Sequence, residues 1–92
     1  LELVTEEWVE NEPNNTEAWY ELGYAYEKLN KVAEALVAYD KALEIDQNNS
    51  DALLREAVIY KNKGDENKVA QIQATLDDVD PNKAWILKNN KY

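Results

Sequence analysis

The chain has 92 residues and a formal net charge of −9, with 45% hydrophobic residues and neither cysteine nor histidine. This hydrophobic content predicts one small folded domain rather than a disordered tail, and two glycines and two prolines are too few for a many-stranded β fold. Because cysteine and histidine are absent, the sequence excludes a disulfide framework, a hydrolytic triad and the usual type of zinc site.

The negative charge is concentrated in one half of the chain. Residues 1–46 carry 12 acidic and 3 basic side chains, whereas residues 47–92 carry 7 of each. A field of this sign repels nucleic acid phosphates and anionic lipids, so we expect no nucleic acid or membrane partner and favour a protein or peptide with a basic flank. A solvated acidic surface that keeps the protein in solution explains the same charge equally well.

The sequence shows no targeting or membrane segment. No apolar run approaches the roughly 18 residues that cross a bilayer, and the first ten residues are acidic where a signal peptide would be basic. These features favour a cytoplasmic location. The chain begins at Leu1 and contains no methionine, so we interpret it as a fragment of a longer protein or as a processed product.

Apolar residues recur at helical spacing from the first residue onward. Leu1, Val4 and Trp8 predict one face of a first helix, which ends before Pro13 because the residue preceding a proline is disfavoured in the α conformation. The next helix is predicted from Thr16 onward. Asn15 or Thr16 itself can cap it by accepting a hydrogen bond from an early free amide.

Two helices folded back on each other are predicted over residues 16–29 and 31–45. They are joined at Asn30, a residue that tolerates the left-handed conformation of a tight turn. The apolar stripe of the first of these helices consists of Trp19, Leu22, Tyr26 and Leu29. The inward face of the second consists of Ala35, Ala38, Tyr39, Ala42 and Leu43.

This pattern recurs at a step of 34 residues. The step takes Trp19 to Leu53 and then to Leu87, and the two prolines are separated by twice the same distance. Periods of this length predict stacked supersecondary units. Residues 15–48 form the best-preserved copy and residues 49–83 a degenerate one.

The best-preserved copy resembles the tetratricopeptide repeat, a 34-residue pair of antiparallel helices. The residues that carry the resemblance are Trp19, Leu22, Gly23, Tyr26, Ala35, Tyr39 and Ala42. The degenerate copy has Glu56, Val69 and Gln73 where the first has Leu22, Ala35 and Tyr39, which predicts a weaker core.

The resemblance implies an all-α fold in which about five to six helices stack as a short right-handed α-solenoid. It implies a single domain over residues 1–92. Within it, residues 1–14 resemble the second helix of a preceding repeat, and residues 84–92 resemble a capping helix or the start of a third repeat.

The resemblance also implies function, because the first helices of this family line a concave groove. We therefore expect a non-catalytic protein–protein interaction module that binds a peptide or helix. Helical spacing places in the groove Glu17, Tyr20, Glu21 and Tyr24 from one helix and Leu54, Arg55 and Val58 from the next. The rings and aliphatic side chains suit an apolar ligand and the acids a basic flank. Alternatively, the tyrosines only contact a neighbouring helix.

A second hypothesis is a structural or assembly module. About three repeats are normally needed for stability, so the end helices are candidates for self-association or for contacts within a longer repeat array. Trp85, Ile86 and Leu87 are three consecutive apolar residues, more than a polar cap requires. We expect this segment to dock on the second repeat, with homo-oligomerisation through it as the alternative.

Carboxylates are the only candidates for catalysis or metal binding. Asp77, Asp78 and Asp80 cluster in a position typical of a repeat turn. Residues 46–51 imitate the start of a calcium loop, but the turn glycine is missing and Ala57 stands where the bidentate glutamate belongs. We therefore predict no enzymatic activity, no metal and no cofactor.

Overall fold

The computed structural model describes the backbone of residues 2–92 and the side chains of residues 5–92. Over that range the chain forms only α-helices, which confirms the predicted all-α fold. They are α1 (Glu2–Asn11), α2 (Thr16–Lys28), α3 (Val32–Ile45), α4 (Ser50–Lys63), α5 (Glu66–Val79) and α6 (Pro81–Lys88). The predicted contribution of Leu1 and Val4 to the first helix face lies outside the described side chains.

The chain divides into two compact units, one residue beyond the boundary predicted between the repeats. The first unit ends at Asn49 and contains α1, α2 and α3, and the second unit begins at Ser50 and contains α4, α5 and α6. In the first unit α2 packs against both α1 and α3, whereas in the second unit each helix contacts the other two. Docking of the last helix on the second repeat is therefore confirmed.

The turns of the first unit form as the sequence predicts, whereas the predicted position of one residue at the end of α2 is wrong. The Asn15 Oδ1 atom accepts hydrogen bonds from the backbone N–H groups of Glu17 at 3.0 Å and Ala18 at 3.3 Å, and Asn30 has φ 62°. Placing Leu29 on the apolar stripe of α2 is wrong, since this side chain is 49% exposed. The reason is that α2 ends at Lys28, so Leu29 is the C-cap and leaves the helical register.

The core of the first unit lies where α1 and α3 pack on α2. One cluster of buried residues there consists of Val9, Ala18, Leu22 and Ala38, and the partly buried rings of Trp8, Trp19 and Tyr26 pack against it. Three alanines of α3, Ala35, Ala38 and Ala42, are buried and at most 2% exposed. Because their side chains are small, α2 and α3 can approach closely.

The closest packing in this unit is between Gly23 and Tyr39. A Cβ atom at Gly23 would lie 2.6 Å from two ring atoms of Tyr39, so only glycine leaves room for the ring. Tyr39 is fully buried, and its hydroxyl donates a hydrogen bond to Glu27 Oε1 at 2.7 Å. At the equivalent positions of the second unit, 34 residues on, Ala57 has the extra methyl and Gln73 has no ring.

The second unit relies on capping side chains and on hydrogen bonds between its helices. Asp65 accepts from the backbone N–H of Lys68 at 3.2 Å to cap α5, and Gly64 has φ 80° in the preceding turn. Asp80 caps α6 by accepting from the Lys83 N–H at 3.2 Å. Helix α6 begins at Pro81, three residues before the predicted segment, because proline suits a first helical position.

Lys83 joins α6 to the start of α4. Its Nζ atom lies 3.2 Å from Asp80 Oδ2 and 3.3 Å from Asp51 Oδ1. The hydrogen bond from the Lys83 backbone lowers the pKa of Asp80, and bonds with Ser50 and the Lys83 side chain lower it further. Burial lowers the pKa of Lys83, but its bonds with Asp80 and Asp51 outweigh this and raise it overall.

Replacing Gly23 with alanine should destabilise the first unit because the new methyl overlaps the Tyr39 ring. We expect Gly23→Ala to lower the free energy of unfolding by about 1–3 kcal/mol, measured by urea denaturation. The same substitution in a Tyr39→Leu background should cost less, because the ring is then absent. An equal cost in both backgrounds would show that the overlap is not the cause.

Stability should fall in acid partly through Asp80. Since the folded pKa of Asp80 is lowered, its contribution is present above about pH 4 and is lost as the pH falls through the folded pKa. Asp80→Asn should reduce the free energy of unfolding near pH 7 and make its decrease towards acid shallower, measured by urea denaturation at several pH values. Asp78→Asn, at an exposed position on α5, is the control and should reproduce the wild-type pH dependence.

Candidate protein-binding surface

The predicted ligand-binding residues divide between the two units. In the first unit the predicted contacts all lie on one side of α2, as two pairs four residues apart, Glu17 with Glu21 and Tyr20 with Tyr24. Glu17 is exposed, and the other three side chains are half-buried. Each of the four therefore has surface that a ligand could contact.

The two tyrosines belong to a row of rings anchored in the core of the first unit. The ring centroids of Tyr20 and Tyr24 are 6.4 Å apart and nearly parallel, with an angle of 17° between the ring planes. The ring centroid of Tyr20 also lies 5.8 Å from that of the buried Tyr39 on α3. Contact with a neighbouring helix, the alternative interpretation, is thus observed for Tyr20.

The basic residues of the first unit have local contacts. Lys28 Nζ lies 5.0 Å from the centroid of the Tyr24 ring, and Lys31 Nζ lies 5.9 Å from that of Tyr26. Lys41 pairs with Glu44 at 3.5 Å. These three lysines are the only basic residues before position 47, so the excess of carboxylates remains to attract a cationic partner.

In the second unit the predicted ligand contacts lie on α4. Leu54 and Arg55 are half-buried, but Val58 is only 4% exposed. The assignment of Val58 to a binding surface therefore needs correction, because its side chain offers a ligand almost no area. Helix α4 is buried over more of its circumference than one stripe, with Ala52, Leu53, Glu56, Ala57, Val58 and Ile59 all buried.

The three apolar residues of α6 do not act as one patch. Trp85 is 56% exposed, Ile86 is half-buried and Leu87 is completely buried. Successive residues of an α-helix point about 100° apart, so three in a row cannot share one face. Leu87, predicted as a self-association residue, instead belongs to the core of the second unit.

Lys61 holds the end of α6 in place. Its ammonium group donates to the Leu87 carbonyl at 2.9 Å and to Asn90 Oδ1, and lies 5.7 Å from the centroid of the Tyr92 ring. Sequence periodicity could not reveal this contact, because it joins α4 to a carbonyl 26 residues further along the chain.

Each unit also contains an open pocket that the sequence did not predict. The pocket of the first unit has a volume of about 220 Å³ and is lined by Trp19, Leu22, Tyr26, Glu34, Val37 and Ala38. That of the second unit has a volume of about 310 Å³ and is lined by Lys61, Gly64, Glu66, Val69, Ala70 and Gln73.

Neither a metal site nor a membrane segment is found in the part of the chain that the structure describes. The described side chains include no group of three or more histidine, cysteine, aspartate or glutamate residues that could hold a metal ion. No helix over residues 2–92 is both long and apolar enough to cross a membrane.

Comparison with known proteins identifies the repeat and several relatives. Two tetratricopeptide repeat models match, one over residues 16–49 and the other over residues 38–71. The PEX5-related protein of Homo sapiens is 33% identical over 90 residues, which cover 98% of this chain and 13% of the relative. The peroxisomal targeting signal receptor of Komagataella phaffii is 34% identical over 65 residues, which cover 71% of this chain and 11% of the relative.

A third relative, tetratricopeptide repeat protein 14 of Mus musculus, is 38% identical over 50 residues, which cover 54% of this chain and 6% of the relative. The chain thus spans a small part of each of these three proteins. The first match spans α2 and α3 and agrees with the predicted helix pair, whereas the second begins within α3 and ends within α5, so its register differs from that of the second helix pair. The chain belongs to the tetratricopeptide repeat family of protein–protein interaction modules.

Proposed function

We propose that the chain binds a peptide or helical segment of a partner protein on the face of α2 that contains Tyr20 and Tyr24, and that it does so without catalysis. The observation that carries the proposal is the row of rings on this helix. Tyr39 anchors Tyr20, and Tyr20 lies beside Tyr24, so both half-buried rings are held in place before a ligand arrives. Rings held in this way provide apolar contact area at low cost in conformational entropy.

The charges beside this row indicate the chemistry of the partner. Glu17 and Glu21 lie one turn apart on the same side of α2 as the tyrosines. A ligand with an apolar side chain for the rings and a lysine or arginine for these carboxylates would complement the surface. Binding of this type weakens as salt screens the charges. In the second unit, Leu54 and Arg55 are proposed as further contacts, each to be tested by its own substitution.

The relatives suggest a class of ligand. One of them is named as a receptor for a peroxisomal targeting signal, and we propose that this chain likewise binds a short signal peptide, acting in the cytoplasm. A C-terminal Ser-Lys-Leu sequence directs proteins to peroxisomes and contains a lysine that could pair with Glu17 or Glu21, provided that its terminal carboxylate points away from them. The relatives are several times longer than this chain, so their complete activities involve residues that it does not match.

A peptide ending in Ser-Lys-Leu, titrated by fluorescence anisotropy, tests the proposal. Tyr24→Ala should weaken binding by on the order of 5- to 150-fold if the ring is a main contact. Tyr92→Ala, which removes an exposed tyrosine outside α2, is the matched control and should leave the affinity unchanged. Glu21→Gln should weaken binding and flatten its salt dependence.

Unchanged affinity in a folded Tyr24→Ala variant would contradict binding on this face of α2. A peptide in which glutamate replaces the lysine of the Ser-Lys-Leu sequence separates charge from apolar contact, because it retains the remaining side chains. If this peptide binds as tightly as the original, the proposed role of Glu17 and Glu21 is wrong.

The two tyrosines should differ in their effect on stability. Tyr20→Ala removes the ring packed on Tyr39 and should lower the free energy of unfolding by about 0.5–1.5 kcal/mol beyond the loss of buried area. Tyr24→Ala removes a ring stacked on the half-buried Tyr20 and should be closer to the wild type, as measured by urea denaturation. An equal loss in both variants would show that Tyr24 is also structural.

Self-association through α6 is a second candidate function. It is favoured by Trp85, which is 56% exposed on a helix whose end is held by Lys61. An exposed tryptophan is a frequent anchor of protein interfaces. Leu87 is excluded from this role by its burial, which leaves Trp85 and the half-buried Ile86 as the residues that could contact a second copy.

A further inference from the structure

The pocket between α2 and α3 lies on the acidic unit and is mostly apolar. Five of its six lining residues are apolar or aromatic, and Glu34 is the one with a charge. Val37 lies in the pocket wall and is 60% exposed. The other large apolar side chains of α3 are at least partly covered, apart from Ile45, which is also exposed. The pocket lies around Trp19, Leu22 and Tyr26, and its residues are distinct from Tyr20 and Tyr24.

Trp85 has the properties of a side chain that would fill such a pocket. It is a large exposed aromatic residue on α6, and the helix is held firmly around it. Leu87 is fully buried, and the Asn89 side chain donates a hydrogen bond to the Trp85 carbonyl at 2.9 Å. Because the backbone is already ordered, docking the indole requires little loss of conformational entropy.

The two sites match in size and chemistry. A cavity of about 150 Å³ lined by apolar side chains accommodates benzene, so the pocket of about 220 Å³ has room for the larger indole. Trp19 and Tyr26 offer aromatic surfaces to the incoming ring, and such pairs favour offset or edge-to-face contact.

The charges around the two sites are also complementary. The residues up to position 46 carry a net charge of −9, and Glu34 lies in the pocket itself. Beside the inserted tryptophan the charges are positive: Lys88 lies one turn after Trp85 on α6, and Lys91 follows the helix. Lys31 is a positive charge beside the pocket and would repel Lys88 and Lys91, since its ammonium lies 5.9 Å from the centroid of the Tyr26 ring. The carboxylates outnumber it, so the attraction remains.

We propose that Trp85 of one copy docks into the α2–α3 pocket of a second copy, with Lys88 close to Glu34. This inference deepens the self-association candidate and rests on it, and it is independent of peptide binding at Tyr20 and Tyr24. The contact is heterologous, because the inserted residue and the pocket are different parts of the chain. Each associated pair therefore retains one free Trp85 and one free pocket, and assembly continues beyond the dimer unless a ring closes.

Mass measurement by sedimentation velocity, over a range of protein concentrations, tests this inference. The average mass of the wild type should rise with concentration and fall with added salt. Trp85→Ala and Val37→Lys should each weaken association by about tenfold or more, since one removes the indole and the other places a charge in the pocket. Both positions are exposed, so the fold should be retained, and circular dichroism checks this. Ile45→Ala is the control, because this exposed apolar residue lies outside both the pocket and α6, and it should associate like the wild type.

Mixing the two variants gives the sharpest result. Trp85→Ala retains an intact pocket and Val37→Lys retains an intact Trp85, so an equimolar mixture should form heterodimers and nothing larger. A charge exchange provides an independent check, because Glu34→Lys and Lys88→Glu should each weaken association separately and restore it when mixed.

The outcomes separate this inference from the self-association candidate. If Trp85→Ala abolishes association while Val37→Lys and Glu34→Lys leave it unchanged, α6 mediates self-association but the pocket is not its receptor. If the wild type keeps a monomer mass at the highest concentration tested, both are overturned. Failure of the variant mixture to form heterodimers would also overturn the heterologous contact.

Discussion

The first unit depends on the packing of the Tyr39 ring against the backbone of Gly23. No other residue fits at position 23, because a Cβ atom there would lie 2.6 Å from the ring. Once buried, Tyr39 contacts α2 in three ways. It joins α3 to α2, donates its hydroxyl to Glu27, and supports Tyr20, which in turn lies beside Tyr24. The proposed binding surface is therefore an extension of the core, and a change in core packing would displace the rings that face the ligand.

The second unit solves the same packing problem differently. With Ala57 and Gln73 at the equivalent positions, it has no ring to bury there, and the Gln73 amide instead donates to the Ala84 carbonyl of α6 at 2.9 Å. Lys61 and Lys83 add contacts from long side chains to α6 and its cap. Exposed ion pairs contribute little individually, so the geometry of α6 depends on several such contacts together with the buried Leu76 and Leu87.

These differences assign different properties to the two units. The first has a preformed aromatic surface and all of the excess negative charge, which suits it to attract a partner with basic and apolar groups. The second has no net charge and an exposed tryptophan on α6. A repeat protein can thus present unlike surfaces from copies of one helical pair, because core positions preserve the fold while the remaining positions vary.

The sequence by itself determined the helix pairs, their turns and much of the core. Those features depend on local interactions, such as the Asn15 cap, the left-handed Asn30 and the spacing of Ala35, Ala38 and Ala42, which act within a few residues along the chain. Only the tertiary structure decided which apolar side chains remain accessible. Helical periodicity could not tell that Val58 is buried, or that Val37 is exposed beside Trp19. Burial depends on which neighbouring helix covers a given face, and that is set by packing between residues far apart in sequence.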